Sequence, residues 1–183
     1  GMVLLKNEGG ILPLKKGTKV ALFGKATFDY VKGGGGSGDV TVAYIRNLYE
    51  GLKLQGDRVD IFEPLCDYYR RDVEQQYEAG NAPGMTVEPA VPEELLRQAR
   101  AYTDTAIISI CRFSGEGWDR KSVLDDGNKN LWDGEREMAE RSAKIFANGD
   151  FCLSVAEAAM VDAVKKNFVK VVVVMNVGGM VDT

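Results

Sequence analysis

The sequence has no histidine among its 183 residues. Histidine is the commonest general base near neutral pH and the commonest metal ligand, and it activates many serine and cysteine nucleophiles. Any acid–base chemistry therefore falls to carboxylates. No side chains show the spacing of metal ligands either, so we expect neither a metal nor a cofactor.

Positive charge and long apolar runs are also scarce. The 23 lysines and arginines are outnumbered by 27 acidic residues, which leaves a net charge of -4 and no basic surface for a phosphate backbone. No apolar run is long enough to span a bilayer, and residues 1–15 lack the pattern of a signal peptide. We expect a soluble protein that binds neither nucleic acid nor a membrane.

Cysteine is sparse and odd in number. Cys66, Cys111 and Cys152 are widely spaced and lie among apolar neighbours. This pattern favours buried free thiols over disulfides or a metal site. A reducing compartment follows, and we expect a cytoplasmic location.

What the sequence does contain is enough apolar material for one packed domain, 45% of its residues. Four short apolar stretches rich in β-branched residues predict strands. These stretches are 19–23, 58–62, 105–111 and 169–175. The last contains four consecutive valines without polar alternation, so both of its faces should be buried, as in a parallel sheet covered by helices.

Helical patterns separate the predicted strands. One should begin near Asp39, run through Leu52 and end at Gly56. Ser154 and Glu157 form a capping-box pattern at the start of another. Pro92 opens a third, and residues 135–146 suggest a short fourth.

The alternation of strands and helices predicts an α/β fold. We expect an open, mostly parallel sheet with helices on both faces, a three-layer α/β/α sandwich. Residues 1–183 should form a single domain of this kind.

Two long connections interrupt this rhythm, at 24–38 and 112–150. Both follow the carboxyl ends of predicted strands, where open α/β sheets bind ligands.

The first connection contains Ser37 within the glycine run 33–38, which offers exposed backbone donors. The run equally suits a plain connector with Asp39 capping a helix. It also satisfies a dinucleotide-binding pattern with Asp60 or Glu63 as a ribose partner, although nine residues separate it from the strand.

The second connection places Glu116 between two glycines, with Trp118 close by. Glycines allow tight turns, and an indole ring offers an apolar face of the kind that stacks on sugars. The combination suits a general acid. The alternative is a solvated glutamate in a surface turn.

Four blocks of the chain, in order, resemble the C-terminal α/β sandwich domain of family 3 glycoside hydrolases, chiefly the bacterial β-glucosidases. They are GMVLLKNEGGILPL at the start, KVALFG with GGGGSG, AIISICRFSGEGWDR, and GDFCLSVAEAAMVDAVKKNFVKVVVVMNVGG near the end. In that family the first block leads from a barrel domain into the sandwich. The resemblance spans nearly the whole chain.

The resemblance implies a retaining hydrolysis of a β-linked glucoside or oligosaccharide. A barrel aspartate attacks the sugar, and a sandwich-domain glutamate donates and then removes a proton. Glu116 matches that acid/base position, and Ser37 matches a loop that touches the sugar in the first subsite. Trp118 is expected to help hold the substrate.

The chain also departs from the family pattern. The barrel is absent, so the expected partner is the barrel domain of the same enzyme, and these 183 residues are expected to be a fragment that is inactive alone. The stretch 121–149 is longer than usual, which leaves open whether it alters the site around Glu116. Two other functions stay open: a non-catalytic carbohydrate-binding or domain-interface module, and a nucleotide-binding α/β protein.

Overall fold

The fold is built on a parallel β-sheet. The computed structural model describes residues 1–33, 36–115, 133–179 and 181–182. Its strands are β1 (Thr18–Phe23), β2 (Val59–Ile61), β3 (Thr105–Arg112) and β4 (Lys170–Val177). They lie in the order β2-β1-β3-β4, and each neighbouring pair is parallel. All four predicted strands are confirmed, each with slightly different bounds.

Five α-helices lie within the described residues. They are α1 (Leu48–Lys53), α2 (Glu63–Glu78), α3 (Glu93–Tyr102), α4 (Asp133–Ile145) and α5 (Val155–Asn167). The predicted starts of α3 after Pro92 and of α5 at the capping box of Ser154 and Glu157 are confirmed. None of the helices in this part of the chain is both long and apolar enough to cross a membrane.

Two apolar clusters show that both faces of the sheet are covered. On one face, the side chains of β1 and β3 pack against α2, α3 and α5, with Tyr69, Ala99, Met160 and Val164 fully or almost fully buried. On the other face, β1, β2 and β3 pack against α1 and the segment before β1, which contributes Leu14. The α/β sandwich predicted from the sequence is therefore confirmed.

The predicted burial of both faces of the valine strand is wrong in part. Every residue of β3 is buried, because β3 has strands on both sides. β4 has only β3 beside it among the described residues, and its residues are partly exposed. Val173 keeps 51% of its surface exposed. Four valines in a row reflect strand propensity here more than complete burial.

The prediction that a helix begins near Asp39 is also wrong. Helix α1 begins after Asn47, whose side chain accepts a hydrogen bond from the Glu50 N–H while the Glu50 carboxylate accepts one from the Asn47 N–H. This capping box fixes the start of the helix. Asp39 instead pairs with Lys32, and Ile45, which lies within the range of the predicted helix, falls before α1 and is 51% exposed.

Helix α2 contains the adjacent pair Tyr68 and Tyr69, followed by Arg70 and Arg71. The stretch is helical, but Tyr69 is fully buried and packs against β1 and β3. The Arg70 guanidinium lies over the rings of Phe28 and Tyr49, 5.0 Å from each centroid. Two adjacent tyrosines on a helix point in different directions, so the letters alone do not show which one enters the core.

Candidate functional site

The carboxyl edge of the sheet brings the two long connections together. From β1 the chain crosses to β2 on one side, and β3 lies on the other side of β1, so the strand order reverses between β1 and β3. Ligand crevices of open α/β sheets lie at such a switch point. The connections that carry Ser37 and Glu116 both start at this place, one after β1 and one after β3.

Gly24 allows the backbones to approach closely where the first connection leaves β1. It adopts a φ of 96°, and a Cβ atom built there would lie 2.1 Å from the carbonyl oxygen of Ser109 in β3. Only glycine fits this position without moving one of the two strands.

The starts of the connections are also tied to the end of β4 and to the loop after α2. The backbone N–H of Val31 donates a hydrogen bond to the Asn176 side chain at 2.9 Å. Gly84 packs so tightly that an added Cβ would come within 2.9 Å of Val31 and 3.0 Å of Phe113. The carboxyl edge is therefore a packed floor beneath both connections.

Lys32 closes the base of the glycine run. Its Nζ donates to the Val40 carbonyl at 2.7 Å and pairs with the Asp39 carboxylate at 2.8 Å. Ser37 lies exposed on a short 3-10 turn, Gly36–Gly38, within the loop that Lys32 closes. The exposed position of Ser37 is compatible with contact to a ligand.

The dinucleotide interpretation of this run loses its main physical support. Anion binding by such glycines depends on a helix that starts directly after them. The first α-helix after the run is α1, which begins at Leu48. Glu63, one proposed ribose partner, accepts hydrogen bonds from Tyr49 and Lys53 instead.

A buried ionic network lies beneath the first connection and centres on Asp29. Its carboxylate accepts hydrogen bonds from Lys25 Nζ at 2.9 Å, the Tyr77 hydroxyl at 2.6 Å and the Gly84 N–H at 2.6 Å, and also from Thr86. Burial alone would raise the pKa of Asp29, but the Lys25 ammonium and these donors hold it below its usual range. The network fixes the connection to the loop after α2.

Glu88 is the buried acid of this region without a full set of partners. Its Oε2 accepts a hydrogen bond from the Lys25 backbone N–H at 2.9 Å. Neither Glu88 Oε1 nor the Tyr69 hydroxyl has a partner of good geometry among the described residues, although the hydroxyl lies near enough to lower the pKa of Glu88. Burial outweighs these contacts and raises that pKa to about 7.

At the end of β3, a second buried ion pair joins Arg112 to Glu157 of α5. The two guanidinium nitrogens contact the two carboxylate oxygens at 2.7 Å each. Glu157 also completes the capping box by accepting the Ser154 N–H at 2.8 Å. Both charged side chains are almost completely buried.

Two of the three cysteines are buried and poorly suited to act as nucleophiles. All three cysteines are free thiols; Cys66 and Cys111 are buried as predicted, whereas Cys152 is only half-buried. Burial raises the pKa of Cys66 to about 12 and that of Cys111 to about 11. Both thiols are therefore protonated at neutral pH, and thiols in that state are poor nucleophiles.

Of the three predicted site residues, the structure places one. Ser37 lies on the loop above the carboxyl edge, whereas Glu116 and Trp118 fall outside the described residues. The described chain reaches Gly115, three residues beyond β3, and Ser114 Oγ would lie 3.1 Å from a Cβ added to Gly178 after β4. The roles of Glu116 and Trp118 stay predictions.

Sequence reasoning missed the buried charges under this edge. Arg112 closes an otherwise uncharged strand, and a charge in that position was a usable signal because a buried cation requires a partner. Its partner, Glu157, was recognised only as a helix cap. Lys25 and Asp29 gave no comparable signal inside a polar connection. In the described part of the chain, no group of three or more acids or thiols could hold a metal ion.

Comparison with known proteins assigns the family. The model of the "Glycosyl hydrolase family 3 C-terminal domain" matches residues 2–183. The chain is 57% identical to β-glucosidase A of Butyrivibrio fibrisolvens over 183 residues, all of this chain and 22% of that protein. It is 31% identical to a β-glucosidase of Ruminococcus albus, again over all of this chain and 17% of the relative. The chain thus spans about a fifth of the length of these relatives.

Solved structures agree. A β-glucosidase from Paenibacillus barengoltzii superimposes with a TM-score of 0.77 at 27% identity, covering 99% of this chain and 18% of that one. β-Glucosidase 3B from Thermotoga neapolitana, in complex with α-D-glucose, gives 0.72 at 32% identity, covering 99% and 23%. Since the family model matches nearly the whole chain and the fold superimposes on these β-glucosidases, the protein belongs to the family of glycosyl hydrolase family 3 C-terminal domains.

Proposed function

We propose that this chain is the substrate-proximal domain of a retaining β-glucosidase-like hydrolase, in which Glu116 is the general acid/base. The nucleophilic aspartate would lie on a barrel domain of the same enzyme. One observation carries the proposal: the connection that bears Glu116 leaves the sheet beside the connection that bears Ser37, at the strand-order switch of a family 3 domain. The substrate is a β-linked glucoside or oligosaccharide, as the names of the relatives suggest.

The chemistry divides between the two domains. The barrel aspartate attacks the anomeric carbon while Glu116 gives its proton to the departing glycosidic oxygen, which releases the aglycone and leaves a glycosyl-enzyme ester. Glu116, now a carboxylate, takes a proton from water, and the resulting hydroxide displaces the aspartate from the sugar. A retaining enzyme needs its two carboxyl groups about 5–5.5 Å apart, so both domains must meet at one pocket.

The other parts of the site support binding. Ser37 is exposed on a glycine loop whose base is closed by Lys32, and we propose that it contacts the sugar bound in the first subsite. Trp118 would supply an apolar face beside the acid. The floor below the glycine loop is fixed by the Asp29 network, which gives that loop a rigid support.

The test joins this chain to a family 3 barrel domain and compares the wild type with Glu116→Ala. The dinitrophenolate group of a dinitrophenyl glucoside departs without a proton. The glucose that leaves from cellobiose must be protonated as it departs. Loss of the acid should slow cellobiose hydrolysis by about 10²–10⁴-fold and spare the first bond cleavage of the dinitrophenyl substrate. Added azide should then speed release of the glycosyl-enzyme and yield a β-glucosyl azide.

Glu78→Ala, an exposed glutamate at the end of α2, is the matched control and should behave as the wild type. Equal losses on both substrates, together with no azide product, would remove Glu116 from the acid/base role.

A domain-interface module is the second candidate, and one observation favours it. A row of large apolar side chains is exposed between the glycine loop and α1: Val40, Val42, Tyr44 and Ile45. If Glu116→Ala leaves both substrates unaffected while these side chains are needed for assembly with the barrel, the chain acts as an interface alone.

A further inference from the structure

We propose that Arg112 is a positioning residue: it clamps the two ends of the connection that contains Glu116 and thereby sets where the acid stands. This inference rests on the proposed function. It concerns the connection between β3 and α5, of which the described residues include both ends.

The guanidinium of Arg112 uses all of its hydrogen-bonding capacity. Nε donates to the Asp150 carbonyl at 2.8 Å, and one terminal nitrogen donates to the Cys111 carbonyl and to Glu157 Oε1, both at 2.7 Å. The other donates to the Cys152 carbonyl at 2.8 Å and to Glu157 Oε2 at 2.7 Å. An arginine has five N–H donors, and each has a partner here.

These partners lie on both limbs of the connection. Arg112 itself is the last residue of β3, four positions before Glu116. Phe146, directly after α4, lies under the guanidinium with its ring centroid 4.3 Å away. The two carbonyl acceptors at residues 150 and 152 belong to the turn by which the chain comes back to α5. One side chain therefore joins the outgoing and the returning limb.

The clamp specifies geometry more than it adds stability. A buried ion pair is often no more stabilising than apolar side chains of the same volume, because the desolvation of both charges offsets their attraction. A planar guanidinium with five directed donors, however, accepts its partners in a single arrangement. Arg112 and Glu157 are suited to hold the two limbs at a fixed separation.

The test uses this chain joined to its barrel, with Arg112→Lys as the main variant. Lysine keeps the positive charge, but its single nitrogen cannot span three carbonyls and a carboxylate. Hydrolysis of cellobiose, which needs the acid, should fall by about 10- to 100-fold, since a misplacement of about 1 Å can have that effect. The first bond cleavage of a dinitrophenyl glucoside should fall by less than about threefold, because it needs no proton.

Two further variants separate positioning from general damage. Glu157→Gln removes the charge of the partner but keeps its shape, and it should show the same selective loss if the lysine variant does not fold. Leu65→Ala empties a fully buried site on α2, away from the clamp, and serves as the control of comparable destabilisation. It should slow both substrates equally or neither.

The outcomes are distinct from those for Glu116. If Glu116→Ala shows the selective loss and the folded clamp variants do not, Arg112 is only a structural ion pair and the inference is overturned. If Glu116→Ala itself lacks the selective loss, the proposed function fails and the inference fails with it. A selective loss in both sets, absent from Leu65→Ala, supports the positioning role.

Discussion

At the scale of single residues, burial decides the charge state of the carboxyl groups beneath the site. Asp29 is buried with a lysine and four hydrogen-bond donors around it, and its pKa is lowered. Glu88 is buried with one backbone donor on Oε2, and its pKa rises to about 7. The pKa values of two acids in one region thus shift in opposite directions, because the Lys25 ammonium bonds directly to Asp29 while burial dominates at Glu88.

Glu88 gives a prediction for stability against pH. Its pKa is about 7 in the folded chain and near the ordinary glutamate value of 4.5 when unfolded, so the folded state binds the proton more tightly. The stability that Glu88 contributes is complete below pH 4.5, falls as pH rises to 7, and is constant above. At about 1.4 kcal/mol per pH unit, the loss is about 3 kcal/mol.

The measurement is urea unfolding of the wild type and Glu88→Gln across this pH range. The difference in unfolding free energy between the two should shrink by that amount as pH rises. Tyr69→Phe is a second useful variant. Removal of the hydroxyl should raise the pKa of Glu88, so the pH range over which stability falls should extend to higher pH. A difference that does not change with pH would mean that Glu88 is ionised throughout in the folded state.

At the scale of elements, the glycine loop 33–38 depends on the residues that flank it. Glycine has no side chain to restrict its backbone, so the loop cannot fix its own position. Lys32, which precedes the glycines, supplies the restraint by binding Asp39 and the Val40 carbonyl, which follow them. Lys32 therefore ties together the two ends of the loop that presents Ser37.

Lys32→Met should raise KM for a glucoside by about three- to tenfold and leave kcat nearly unchanged, since the loop would bind ground state and transition state alike. The free energy of unfolding should change by less than about 1 kcal/mol, because exposed ion pairs contribute little. Steady-state kinetics of the chain joined to its barrel measure the effect.

Lys170→Met is the control for the lost charge. Lys170, the first residue of β4, pairs with Asp104 at the amino edge of the sheet, opposite the carboxyl edge that carries the candidate site. Its loss should leave KM unchanged. An equal rise of KM in both variants would show that net charge, and not the loop, determines the effect.

For the molecule as a whole, the apolar row of Val40, Val42, Tyr44 and Ile45 is a feature that an isolated domain does not explain. Soluble surfaces rarely expose so many large apolar side chains in one segment. The row follows directly on the glycine loop. Burial against a second domain would cover it and bring Ser37 to the wall of a shared pocket.

The double variant Tyr44→Ser, Ile45→Ser should weaken association with a separately produced barrel domain by about 10- to 100-fold. Its unfolding free energy should stay within about 0.5 kcal/mol of the wild type, because both side chains are already exposed. Calorimetric titration gives the first quantity and urea unfolding the second.

Val155→Ser is the control. Val155 is an exposed apolar side chain on α5, a helix that packs on the sheet away from the row of Val40 to Ile45. Unchanged association in the double variant would exclude this row from the interface.

The strands, the sandwich and two helix starts could be predicted from the order of the residues alone. Short β-branched runs form strands wherever they lie, and the box of Ser154 and Glu157 is a local signal between residues three apart. The family resemblance was also readable from the four blocks in order. The cytoplasmic location and the roles of Glu116 and Trp118 remain predictions.

Features that depend on contacts between distant parts of the chain became visible in the folded structure alone. Glu157 lies 45 residues from Arg112 and Glu88 lies 63 from Lys25, and no periodicity links such positions. The partial exposure of β4 and the start of α1 at Leu48 instead of near Asp39 have the same origin. Local signals set propensity, but long-range packing decides which side chains lose their water and which charges must find a partner.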